Sequence, residues 1–163
     1  FTMDNVINLD VVSENWKKIG FFGASYEVIL LTLKELSLSG IELTIRFSNN
    51  SEIQFLNNLW KKNNKPTNVL AFPNNNKIDN TSSYNYIGDI IISYDKVKNE
   101  SIFYKVSLKD HLMHLIIHGV LHLMGYDHNN IKSEKVMIKL EKKIIEKIGA
   151  DCTTLNRKYD ERN

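Results

Sequence analysis

The sequence predicts an α+β fold: a small mixed β-sheet packed by helices, in a single domain. Three observations carry that expectation. Residues 41–47 alternate, with Ile41, Leu43, Ile45 and Phe47 on one face and Glu42, Thr44 and Arg46 on the other, the period of a half-buried strand. Two further short apolar runs, 67–72 and 87–93, are set off by Pro66, Pro73 and polar segments, as strands are. Apolar residues at helical spacing then occupy both flanks of this strand-bearing centre. With 163 residues, 42% of them apolar and 25% charged, the chain can bury one core without a disulfide or metal staple.

The elements follow in order. Residues 7–12 (INLDVV) predict a first strand. From Ser13 to about Leu38, the residues Val28, Ile29, Leu30, Leu33 and Leu36 predict one or two helices, broken near Gly20 and Gly23 and ended by Gly40. After the strand at 41–47, residues 51–60 predict a short helix capped by Ser51, with Ile53, Leu56, Leu59 and Trp60 turned inward. A basic loop (Lys61, Lys62, Lys65) ends at Pro66 and leads into the strand at 67–72. Residues 74–86 are polar and predict a mobile loop, followed by the strand at 87–93 with its triplet Ile90, Ile91 and Ile92. The remainder is expected to be helical. Ser107 and Asp110 form a capping pattern that opens a helix running to Gly125. Met137, Leu140, Ile144 and Ile148 line a lysine-rich amphipathic helix stopped by Gly149. The domain is therefore expected over residues 3–149, with a polar tail over 150–163.

Composition excludes more than it selects. A net charge of +2 is too small to argue for nucleic acid by itself. The single Cys152 cannot form an internal bridge and suits a reducing compartment. No apolar run approaches the roughly 18 residues of a membrane span. The opening residues carry neither a basic n-region nor an apolar core, so no secretory leader is expected, and Met3 is the expected native start. A cytoplasmic protein with no membrane partner is the expectation.

All five histidines (His111, His114, His118, His122, His128) fall between positions 111 and 128. On a helix, His118 and His122 stand at i and i+4, so their rings leave one face about one turn apart and can grip one ion. Gly125 ends the helix and lets the chain return His128 as a third ligand. Three imidazoles leave one tetrahedral position open, the pattern of a catalytic zinc rather than a structural one. Three imidazoles accept nickel and cobalt as well. A lone helical histidine is usually a packing residue, but three around a helix-stopping glycine reverse that default. His111 and His114 share roughly the same helical face and are not assigned as ligands. The spacing H-x-x-x-H-x-x-G-x-x-H equals that of the metzincin proteases, whose glutamate after the first histidine is the general base. Here that position is Gly119, which removes the base a peptidase would need.

The stretch His118-Gly119-Val120-Leu121-His122-Leu123-Met124-Gly125-Tyr126-Asp127-His128 resembles the signature of the YbeY family, bacterial endoribonucleases that act in ribosomal RNA maturation. Lys65-Pro66-Thr67-Asn68-Val69-Leu70-Ala71-Phe72-Pro73 is similar to that family's second block. Ile87-Gly88-Asp89-Ile90-Ile91-Ile92 is similar to its third, and Leu43-Thr44-Ile45-Arg46 to the strand before them. The matches run in the family's order from about residue 41 to 130. The resemblance implies a Zn2+-dependent endoribonuclease, one ion per chain, that prefers single-stranded RNA. It also implies action on the 3′ end of 16S rRNA in the small ribosomal subunit and in ribosome quality control, with no DNA substrate. Where the family usually carries an arginine near the site, this chain has Lys61, and Asn64 and Ala71 replace the usual acidic residue and serine. Lysine keeps the charge but not the planar fork that grips a phosphate with two bonds.

The expected catalytic set is His118, His122 and His128 as metal ligands, with Arg46 and Lys61 as phosphate-clamping cations. Lys62 and Lys65 add a diffuse positive surface. Asp89 suits a turn or hydrogen-bonding role, and Asp127 suits either support of an imidazole or a cap after Gly125. An alternative reading is a ribosome assembly factor whose zinc is mainly structural and which binds RNA without cutting it.

Overall fold

The computed structural model describes residues 3–75, 78 and 84–155. Ten elements follow in chain order: β1 (Val6–Val11), α1 (Glu14–Ile19), α2 (Phe22–Glu35), β2 (Ile41–Ser48), α3 (Asn50–Lys61), β3 (Val69–Pro73), β4 (Asn85–Ser93), α4 (Tyr94–Tyr104), α5 (Leu108–Leu123) and α6 (Ile131–Ile148). The sheet order is β1-β2-β4-β3. β1, β2 and β4 run parallel, and β3 pairs antiparallel with β4 as an edge strand, so the fold is α+β with a mixed sheet.

The two faces of the sheet are used differently. Leu43, Ile45, Ile90 and Ile92 point into the main core with Leu112, Ile116 and Val120 of α5. Leu70, Ile91 and Ile53 form a second, smaller cluster beneath α3. A register shift between Glu42 and Leu43 leaves Ile87 as an extra residue in β4. Gly88 beside it has φ +137°, and a Cβ there would sit 2.2 Å from the Phe72 carbonyl oxygen, so only glycine fits this bulge.

Several expectations on element detail are revised. The cap of α3 is Asn49, whose side chain accepts from the Glu52 amide at 3.0 Å, rather than Ser51. Leu59 and Trp60 are exposed at 57% and 66%, not turned inward. Buried Asn57 takes the inner position instead and donates to the Lys65 carbonyl at 2.8 Å, tying down the loop after the helix. The α2 helix runs through Gly23, and the break falls only at Gly20 and Phe21. α4, which the sequence leaves without bounds, starts directly from the end of β4. In α6 the buried set is Met137, Ile138, Glu141, Ile144 and Ile145, a face rotated away from Leu140 and Ile148. The first residues of the expected tail pack inward: Leu155 is fully buried and Thr154 nearly so. The greater part of the loop expected to be mobile, and the tail from 156, lie outside the described residues.

Candidate metal centre

Helix α5 is buried along most of its length, which is unusual for a helix and fixes its rotation tightly. Ser107 caps it by accepting from the Asp110 amide at 3.0 Å. Gly119 faces the sheet, where an added Cβ would meet Ile90 at 3.0 Å. Close approach of helix and strand thus explains why position 119 carries no side chain. His111, His114, His118 and His122 then lie in a row about a quarter-turn around the helix from Gly119. The helix ends in a Schellman motif: the Gly125 amide donates to the His122 carbonyl at 3.0 Å and the Tyr126 amide to the Leu121 carbonyl at 3.1 Å. Gly125 supplies the required positive φ of 91°. Asp127 accepts from the Asn129 amide at 3.2 Å, and Asn130 opens α6 with a reciprocal capping box to Ser133. These two turns carry His128 back over the end of α5.

His118, His122 and His128 each offer one ring nitrogen, and the three atoms lie within 4.8 Å of one another. The Nε2 atoms of His118 and His122 are 2.9 Å apart. Two lone pairs that close repel unless a proton or a cation lies between them. Burial, followed by the nearby His118 and His128, pushes the His122 imidazole down to about 4, so it is neutral and available as a ligand near pH 7.

Glu141 of α6 supports this cluster from below. It is 2% exposed, and its two oxygens take different histidines: Oε2 lies 2.6 Å from His114 Nε2 and Oε1 lies 3.0 Å from His118 Nδ1. Burial pushes the Glu141 carboxyl up, but its hydrogen bonds to His114 and His118 reverse this and hold it well below the usual carboxylate range. As a carboxylate it only accepts, so His118 carries its hydrogen on Nδ1 and presents Nε2 as a lone pair to the cluster. His114 Nδ1 lies 3.3 Å from the Thr154 hydroxyl. Further back, His111 Nε2 meets Glu100 at 3.0 Å, and Glu100 also accepts from the Asn68 amide at 2.9 Å.

The histidine cluster opens into a cavity of about 540 Å³, lined among others by Lys61, Asn68, Ala71, His118, His122, His128 and Glu134. Of the two cations expected at the site, the structure brings only Lys61 to it. Arg46 lies on the α3 side of the sheet, held by Glu52 (Nε to Oε1 2.5 Å, Nη2 to Oε2 2.9 Å) and by Asp10. The Glu52 hydrogen bond is the chief reason its pKa is raised further, and both carboxylates hold it in place. Asp89 is on that same face and accepts from the Tyr86 hydroxyl at 2.6 Å, a hydrogen-bonding role. Asp127 serves the turn rather than an imidazole.

Sequence reasoning missed Glu141 and gave Asn68 no individual role. The signal for Glu141 was present: it stands four residues after Met137 and three before Ile144, a carboxylate in the middle of an apolar stripe.

The profile of the family described as Endoribonuclease YbeY matches residues 13–149. An Endoribonuclease YbeY of Buchnera aphidicola is 38% identical over 143 residues, covering 86% of this chain and 88% of the relative. One from Pelagibacter ubique is 43% identical over 145 residues, covering 83% of this chain and 92% of the relative. The solution structure of TM1509 from Thermotoga maritima superposes with a TM-score of 0.61 at 24% identity, over 86% of this chain and 87% of that one, a similarity of fold.

Proposed function

This chain belongs to the endoribonuclease YbeY family, and on that premise we propose that it is a zinc-dependent endoribonuclease that cuts single-stranded RNA. The observation that carries the reading is the convergence of three imidazole nitrogens within 4.8 Å on a cavity that also takes in Lys61. The donor set fits a divalent ion: three imidazoles, one oriented by a buried carboxylate, with no fourth histidine, cysteine or carboxylate joining the group among the described residues. When bound, such an ion supplies a Lewis acid for the charge that develops on the phosphoryl oxygens.

The chain's own residues supply the remaining functions. Glu141 fixes the tautomer of His118 and, through His114, the row of rings behind it. Lys61 offers a positive charge to a non-bridging phosphate oxygen at the mouth of the cavity. Gly119 places no carboxylate beside the first ligand, which suits a substrate bringing its own nucleophile, the 2′-hydroxyl, better than a peptide. Ribosomal RNA of the small subunit, at the 3′ end of the 16S species, is the substrate proposed, in a soluble cytoplasmic setting. No described helix is long and apolar enough to cross a membrane.

The test is cleavage of one single-stranded RNA by protein of measured metal content, beside His118→Ala and a fully 2′-deoxy copy of the substrate. Cutting of the RNA alone, lost in His118→Ala, is expected. Equal cutting by His118→Ala, or no cutting by the zinc-loaded protein, contradicts the reading.

A further inference from the structure

Residues 53–78 contain Lys61, Lys62, Lys65 and Lys77 and not one aspartate or glutamate, a concentrated positive stretch in a chain of net charge only +2. The same stretch carries an exposed apolar patch on α3: Phe55, Leu59 and Trp60 are 64%, 57% and 66% exposed. Exposed tryptophan costs hydrophobic free energy and is rarely left bare without a role. Trp60 is not loose, for its ring stands edge-on to Phe72 of β3, with centroids 6.4 Å apart and planes at 65°. Neither ring is among the residues that line the cavity, but their chain neighbours are. Lys61 follows Trp60, and Ala71 and Pro73 flank Phe72, and all three neighbours line the cavity wall.

Arg46, the other cation on this side of the sheet, is neutralised by two carboxylates, whereas Lys61, Lys62 and Lys65 form no ion pair among the described residues. An anchored aromatic face beside unpaired lysines is the arrangement that binds single-stranded nucleic acid: bases stack on the ring and phosphates meet the cations. A duplex cannot use it, because its bases are already stacked inside the helix.

We infer that Trp60, braced by Phe72, is a base-stacking platform for a nucleotide of single-stranded RNA next to the phosphate held at Lys61. The class of ligand rests on the endoribonuclease reading, while the position of the platform rests on the exposed ring and the unpaired lysines. The platform contributes substrate affinity and selection for single strands, and it takes no part in bond cleavage. Stacking on one base is worth about 1–3 kcal/mol, so its loss weakens binding about 5-fold to 150-fold.

The chain's two tryptophans make this directly readable, since Trp16 is fully buried and Trp60 is exposed. The experiment titrates the zinc-loaded protein with a labelled 2′-O-methyl oligouridylate, whose nucleophilic hydroxyl is blocked. Binding is followed by the label's anisotropy and by tryptophan emission, for the wild type, Trp60→Phe and Trp60→Leu. Quenching in the wild type that vanishes in both variants is expected. Affinity should stay within about threefold in Trp60→Phe and fall about tenfold or more in Trp60→Leu, with the far-ultraviolet dichroism of all three unchanged. Saturated binding without quenching, or Trp60→Leu binding as tightly as the wild type, overturns the inference and assigns the patch to a protein partner. Quenching and weakened binding in a protein that cuts no RNA would uphold the platform and sink the endoribonuclease reading instead.

Discussion

The two halves of helix α5 use the same side chain for different ends. In the N-terminal half, His111 and His114 are 5% and 4% exposed and turned onto carboxylates, Glu100 and Glu141. In the C-terminal half, His118 and His122 are half-buried, and their free nitrogens face each other and His128 across the cavity mouth. His114, with both nitrogens engaged by Glu141 and the Thr154 hydroxyl, is a structural strut, and buried His111 is turned the same way onto Glu100. A histidine that keeps a lone pair aimed at other lone pairs is available as a ligand. Glu141 joins the halves, since it binds one histidine of each kind.

The comparison is sharpened most by removing that joint. Glu141→Gln keeps size but offers one acceptor and one donor where two acceptors stood, so one of the two imidazoles loses its partner. Zinc affinity, measured by competition with a chelator, should fall about 10-fold to 100-fold, as other supporting contacts to metal-bound histidines do. Unchanged affinity would mean that the orientation of His118 is set elsewhere. His114→Ala attacks the strut alone. It leaves the buried carboxylate with one partner and should lower unfolding free energy by about 3 kcal/mol, read by urea denaturation, without changing how many ions bind.

The two cations extend the same contrast, Lys61 lining the cavity and Arg46 held by carboxylates on the α3 side of the sheet. Lys61→Ala should slow RNA cleavage about tenfold, the worth of one charge-assisted phosphate contact, with stability unchanged. Lys61→Arg should match or exceed the wild type, because the planar fork makes two bonds. Arg46→Met should do the reverse of Lys61→Ala, lowering stability by about 1 kcal/mol while cleavage persists. If Arg46→Met abolishes cleavage in a folded protein, the assignment of the two cations is wrong.

The smallest effect expected is on acid stability. The folded chain holds the His122 imidazole down at about 4, below its ordinary value of 6.5, so between those limits the unfolded chain binds a proton that the folded chain refuses. The metal-free protein should therefore lose stability as pH falls from about 6.5 toward 4. Glu141, held below its ordinary range, adds loss in the same direction at lower pH. Urea midpoints in the presence of a chelator check this, and His122→Ala should flatten the upper part of the profile.

The sequence made the candidate metal ligands legible because their spacing is local. Four residues on a helix and a glycine stop are enough to bring His118, His122 and His128 together. Strand β2 was equally plain, since alternation over seven residues has one reading. Non-local relations were not legible. Glu141 reaches His118 only because α6 folds back beneath α5, and Arg46 is claimed by Asp10 and Glu52 from two other elements. The inward face of α3 was misjudged because an apolar residue is expected inside. Here Asn57 is buried to hold the Lys65 loop, and Trp60 is exposed against Phe72.

The account stands on the division between the two kinds of histidine, and counting bound metal tests it most directly. Wild-type protein, His128→Ala and His114→Ala would be dialysed against the same limiting zinc and measured by elemental analysis. One ion per chain in the wild type and in His114→Ala, and none retained by His128→Ala, is the predicted result. Zinc retained by His128→Ala at the wild-type ratio, or lost from a folded His114→Ala, would contradict it.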